Sequence, residues 1–229
     1  MIANRLVFAF LLLSSSTVLQ VAADQTEADR RSLAELRAKA QEGNSRSQFE
    51  LGTVFQFGSL GVAKDYVEAV KWYRKAAEQN HVWAQYNLGL CYHQGKGVAK
   101  DDAEAVKWFR KAAEQNDADS EYDLGVAYYN GEGVAKDYVE AVKWYRKAAE
   151  QNHVLAQYYL GLCFAMGDGA AKDYVQAYMW LLLAAGQGHE NAKQNMALLE
   201  QKMTADQISQ GQKAGAQFQV ARSALPSKQ

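Results

Sequence analysis

Few stretches of this 229-residue chain place reactive side chains at spacings that chemistry uses. Gly95-Lys96-Gly97 invites a phosphate-loop reading. However, five residues rather than four separate Gly89 from Gly95, and Gly97 stands where a Ser or Thr would hold magnesium. A helix-ending turn accounts for these glycines instead. His189-Glu190 begins like a zinc-protease motif, yet Lys193 occupies the place of the second histidine. Cys91 and His93 are two apart on a helix and so point to different sides, which is wrong for a shared metal. His81, His153 and His189 recur at one position of a repeat, as do Glu68, Glu104 and Glu140, and both sets suit helix starts better than acid–base work. Neither Ser-x-x-Lys nor Gly-x-Ser-x-Gly occurs. These residues offer no active site, and the expectation is a protein without catalytic, cofactor-binding or metal-ligating residues.

The elements around these residues are copies of one unit. Gly131–Asn152 reads GEGVAKDYVEAVKWYRKAAEQN, and nearly the same string occurs at Gly95–Asn116 and, with a longer entry loop, at Gly58–Asn80. A drifted copy runs from Gly167 to Gly188. The tryptophans Trp72, Trp108, Trp144 and Trp180 fall 36 residues apart each time, a period that signals stacked structural repeats. Such a stack grows unit by unit without a single globular core.

Each repeat predicts two helices. Helix A of the second copy covers about Val82–Gln94, with Ala84, Leu88 and Cys91 on its buried stripe. A glycine follows each stripe leucine (Gly52, Gly89, Gly125, Gly161), which suggests that another helix passes close there. Helix B opens at Asp65, Asp101, Asp137 or Asp173, with Glu or Gln three residues on, an aspartate version of the capping box. It closes at Asn80, Asn116, Asn152 or Gly188, residues that tolerate a left-handed cap. Ser32–Glu42 reads as an N-terminal capping helix, and Thr204–Gln207 as a capping box that opens a final helix to about Arg222. The expected organisation is a capping segment over 24–44, repeats over 45–80, 81–116, 117–152 and 153–188, a half repeat and cap over 189–222, and a loose tail over 223–229.

Residues 1–23 read as a cleaved secretory signal, with Arg5, the apolar run Leu6–Leu13, and small residues at Val21-Ala22-Ala23 before Asp24. That run is too short to span a bilayer, so no membrane span is expected after cleavage, and the mature chain should be exported to a periplasm or secreted. A formal net charge of −1 leaves no basic excess to neutralise phosphates, and nucleic acid is not an expected partner. Cys91 and Cys163 occupy equivalent places one full repeat apart, roughly 20 Å if neighbouring helices pack at 8–10 Å. A disulfide needs Cα atoms within about 7 Å, so both are expected as free, buried thiols.

The run Ala84-x-x-x-Leu88-Gly89-x-x-Tyr92-x-x-Gly95-x-Gly97-Val98-x-Lys100-Asp101, with Ala105, Trp108 and Lys111-Ala112-Ala113, resembles the Sel1-like repeat, a relative of the tetratricopeptide repeat. The resemblance covers about 45–190 in four copies. The loop departs from the family in carrying alanine (Ala63, Ala99, Ala135, Ala171) where proline is frequent. The resemblance implies an all-α fold, a right-handed superhelical solenoid of stacked helix-turn-helix repeats, whose members act as adaptors or scaffolds. It also implies that helix A lines a concave groove able to take a protein or peptide ligand. Positions that change between repeats while helix B stays nearly constant are then the candidate partner-binding residues: Trp83, Asn87, Leu90, His93, Asp119, Asp123, Tyr129, Leu155 and Tyr159. Tyr86, Tyr122 and Tyr158 do not vary and read as structural. A cysteine-rich branch of the family is linked to β-lactam or cell-wall hydrolysis. That is the alternative reading, although the cysteine pattern is missing here.

Overall fold

The computed structural model describes residues 26–224, and every regular element among them is an α-helix. The apolar leader expected over 1–23 and the end of the expected tail, 225–229, lie outside the described residues. The chain divides between Lys100 and Asp101 into two compact units. The first holds α1 (26–41), α2 (Ser45–Phe57), α3 (Tyr66–Glu78) and α4 (Val82–Gln94). The second holds α5 (Asp102–Ala113), α6 (Ala118–Asn130), α7 (Tyr138–Glu150), α8 (Val154–Met166), α9 (Tyr174–Gly186), α10 (Glu190–Glu200) and α11 (Ala205–Ser223). In the first unit α2, α3 and α4 pack in succession, in the second α5 to α10 do so, and α11 returns to pack on α9.

Helix B ends where the sequence places its left-handed residue: Asn80, Asn116 and Asn152 have φ of 62°, 61° and 71°, and Gly188 has 89°. This turns the chain so that the next amide bonds back into the helix, as from His153 N to Ala148 O at 3.0 Å. At the other end of helix B the aspartates accept from the first free amides, Asp137 from Val139 and Glu140.

The reciprocal half of the capping box does not form at Asp65, Asp137 or Asp173. Their own amides close the preceding loop instead, donating to Phe55, Tyr128 and Phe164 carbonyls at 2.8, 2.9 and 3.0 Å. Glu68 and Glu140 are thereby released to pair with Lys71 and Lys143 one turn on. Thr204 and Gln207 make both halves of the box, as expected.

Close approach explains the glycines that follow the stripe leucines. A Cβ at Gly125 would lie 2.4 Å from the Tyr145 ring, and one at Gly52 2.6 Å from that of Tyr73. The second loop glycine meets backbone rather than a ring: a Cβ at Gly133 would lie 2.2 Å from the Asp102 carbonyl oxygen, and one at Gly169 1.9 Å from that of Tyr138. This glycine therefore lets each loop lie against the start of the previous helix B. Gly61, in the first full repeat, has nothing near it.

Alanine and leucine fill the remaining core, with Leu51, Leu88, Leu124 and Leu160 fully buried at one register position. Within each unit, buried polar side chains sit beside them. Gln48, Gln85 and Gln157 are buried and donate to the carbonyls of Ala40, Ala77 and Ala149 at 3.1–3.2 Å. Gln48 and Gln157 also accept from Gln79 and Gln187 at the end of helix B. Glu121 takes this position in the third repeat, 2% exposed, accepting from Gln151 at 2.7 Å.

Candidate partner-binding face

Helix A buries one side and turns the other outward, and the varied residues divide between the two. In the first unit, Trp83 is 59% exposed, although its ring leans on Phe49 and His81 at 6.0 Å. Asn87 Nδ2 donates to the Trp83 carbonyl at 2.8 Å, a bond internal to its own helix. Leu90 and His93 are half-buried one and two turns on. Phe57, which ends α2 as Gln94 ends α4, is exposed.

In the second unit the varied residues separate into three roles. Asp119 is exposed at the start of α6, and its Oδ1 lies 3.2 Å from His153 Nε2. That hydrogen bond holds its carboxyl below the usual aspartate range. Asp123 follows one turn later, half-buried.

Tyr129 and Tyr159 turn inward. Their rings gather on Tyr145, at 6.5 and 5.7 Å, and Tyr122 joins at 6.0 Å. Tyr129 Oη also donates to Asp168 at 3.0 Å, and burial, with that carboxylate, pushes its phenol up to about 12. These two side chains tie the third repeat to the fourth.

Leu155 is 37% exposed on α8, a helix with no charged residue. Its outward side continues through Leu162 to Met166, which is 53% exposed. A helix that is apolar all round is ordinarily covered all round. Leu198, 57% exposed on α10, extends this surface, and a hollow of about 180 Å³ is lined by Leu162, Ala165, Asn195, Leu198 and Lys202. Leu198 lies 36 residues after Leu162 and 72 after Val126, so the repeat register alone could have found it.

Helix B offers a contrasting outer side. A larger hollow on α5 is lined by Glu104, Lys107, Trp108 and Lys111, with Gly133 and Val134. Its groups satisfy one another: Lys107 and the Trp108 indole both bond to Glu104, at 2.8 and 3.1 Å, and Lys111 sits 4.1 Å over the Trp108 ring. The same Lys–Trp stack recurs as Lys75 on Trp72 and Lys147 on Trp144, both at 4.2 Å. Trp108 and its counterparts thus serve the repeat.

The two cysteines are buried in the packing, and three of the four histidines cap helices. Burial pushes the Cys91 thiol up to about 11 and that of Cys163 up to about 12, and both are free. His81, His153 and His189 cap helices through Nδ1, accepting the amides of Ala84, Ala156 and Ala192. Among the described residues no group of three or more His, Cys, Asp or Glu could hold a metal ion. No described helix is long and apolar enough to cross a membrane.

The Sel1 repeat pattern matches residues 45–81, 84–117, 118–153 and 154–189, more than half of the chain. The chain belongs to the Sel1 repeat family. Its Sel1 solenoid is similar to the solved structure of a protective antigen present in uropathogenic Escherichia coli strains, described as displaying an SLR fold, at 38% identity and a TM-score of 0.74. That match covers 81% of this chain and 40% of the antigen, so this chain spans well under half the length of that relative. A Sel1 repeat protein from Oxalobacter formigenes is 35% identical, with a TM-score of 0.72, over 87% of this chain and 84% of that one. No curated protein matches the chain.

Proposed function

We propose that this Sel1-repeat protein is an exported, non-catalytic adaptor that binds a protein or peptide segment along the outward faces of its A helices. The observation that carries the reading is the contrast between the two helix types. Helix B is nearly copied over its first three occurrences, each with a lysine stacked on its tryptophan, although Val67 and Val139 at its start are exposed. Helix A varies on its outer side and leaves Trp83, Leu155 and Met166 exposed. Exposed aromatic and large apolar groups on a rigid frame are favoured anchors, and a preformed receptor loses little conformational freedom on binding. Export rests on the leader composition of residues 1–23. Hydrolysis through a cysteine nucleophile is disfavoured, because both thiols are buried and shifted away from the reactive thiolate form.

Photo-crosslinking in the producing cell tests this. A photoreactive residue in place of Trp83 or Leu155 should trap one discrete protein, and the same group in place of Lys107 or Lys143 on helix B should not. Equal trapping from both helix types would move the binding surface elsewhere.

A further inference from the structure

We infer that the outward face formed by α6, α8 and α10 selects a segment with basic residues at one end followed by apolar residues. The inference rests on the docking reading above and goes beyond it by naming the partner's chemistry. Asp119 and Asp123 stand one turn apart at the α6 end of this face. The Asp119 carboxylate is met by His153 through Nε2, while His153 Nδ1 accepts the Ala156 amide at 3.1 Å. A ring that accepts at Nδ1 donates at Nε2 as a neutral imidazole. It therefore satisfies one carboxylate oxygen without cancelling the charge.

From that acidic end the face turns apolar. α8 presents Leu155, Leu162 and Met166 and carries no charge, and α10 adds Leu198 over the shared hollow. Lys202, just past the end of α10, lines that hollow too and brings a positive charge to it. The surface therefore runs from negative through apolar to positive. A segment with acidic residues at the α6 end would set like charges together, and a wholly apolar one would desolvate the exposed Asp119 carboxylate without offering it a cation. A basic end over α6 avoids both costs.

Spacing follows from helix geometry. Neighbouring helices lie about 8–10 Å apart. A helical ligand laid across them, rising about 1.5 Å per residue, meets a new A helix roughly every six residues. The matching pattern is a Lys or Arg pair, an apolar residue about six positions on for α8, and another about twelve positions on for α10.

The test uses two synthetic helical peptides of about 20 residues with that apolar pattern. One carries lysines at the leading end and the other glutamates at the same places. Fluorescence anisotropy reads binding to the purified protein, to an Asp119→Asn/Asp123→Asn variant, and to a Met166→Ser/Leu198→Ser variant. Asparagine keeps an acceptor for His153 while removing charge, and Met166 and Leu198 are exposed, so both variants should fold.

The lysine peptide should bind about tenfold tighter than the glutamate peptide, and the asparagine pair should bring the two within about threefold. The serine pair should weaken the lysine peptide by about tenfold. Equal binding of both peptides, or a lysine preference that survives in the asparagine variant, would overturn the inference. Tighter binding of the glutamate peptide that is lost in the serine variant would also overturn it while leaving the docking face standing. If neither peptide binds, the stated chemistry fails, and photo-crosslinking decides separately whether the face docks anything.

Discussion

His153 stands between an amide and a carboxylate: Nδ1 accepts from Ala156 at 3.1 Å, and Nε2 lies 3.2 Å from Asp119 Oδ1. Its ring stacks on Tyr122 with centroids 4.7 Å apart. His81 repeats the arrangement on Phe49, and His189 on Tyr158. Histidine is an unusual helix cap, and here one residue supplies both the cap and an aromatic face between repeats. Asp117 fills the same place in the third repeat and caps through Ser120 without a ring.

A histidine that accepts at Nδ1 cannot be protonated there without losing the cap. Burial lowers the pKa of His81 below its ordinary 6.5. Its neutral form is then the stabilising one. That contribution is complete above pH 6.5 and is lost as pH falls from 6.5 towards the folded value. Melting temperature should drop between about pH 7.5 and 5.5. In His81→Asp, which installs the cap that the third repeat already uses at Asp117, that part of the slope should vanish. An unchanged slope would remove His81 as its source.

Gly133 should be irreplaceable for a different reason than Gly61. Both have positive φ, 71° and 74°, but only Gly133 lies against a carbonyl, that of Asp102. Gly61→Ala should cost about 1–2 kcal/mol, the penalty of the left-handed conformation alone. Gly133→Ala should cost about 3 kcal/mol or more, because backbone must move as well. Urea denaturation of the two variants checks the ranking.

Glu121 occupies a site where three other repeats use glutamine to donate to a carbonyl. A buried carboxylate gives up hydration that an amide would not, and it has no N–H to offer. Glu121→Gln should raise stability by about 0.5–1.5 kcal/mol at neutral pH. A fall in melting temperature would show that the charge has a use.

Cys91 and Cys163 are buried, with thiols pushed up to about 11 and 12. At about pH 8 a thiol-specific disulfide reagent should react with neither in the folded protein and with both in denaturant. Rapid labelling of either residue in the native state would contradict the packing described for α4 or α8.

Much of the fold was legible because it is written locally. The Trp spacing, the Asp starts and the Asn ends of helix B each act within a few residues, and Asn80, Asn116 and Asn152 adopt the conformation their type allows. The missing halves of the capping boxes were not legible, because the amides of Asp65, Asp137 and Asp173 go to carbonyls on the previous helix. The candidate face was half legible. Variation between repeats located Trp83, Asp119 and Leu155, which are exposed. It also drew in Tyr129 and Tyr159, which are half-buried in a ring cluster around Tyr145. Spacing alone does not distinguish a position that varies at the surface from one that varies with its packing.

The central claim is that the outward side of helix A holds the partner. Its most direct test is the affinity of the photo-trapped partner for Trp83→Ala, for Leu155→Ser/Met166→Ser, and for Lys107→Ala on helix B, each with helicity checked by circular dichroism. The account predicts a loss of about tenfold or more for the helix A variants, unchanged binding for Lys107→Ala, and equal helicity throughout. Full binding by both helix A variants, or a loss confined to Lys107→Ala, would contradict it.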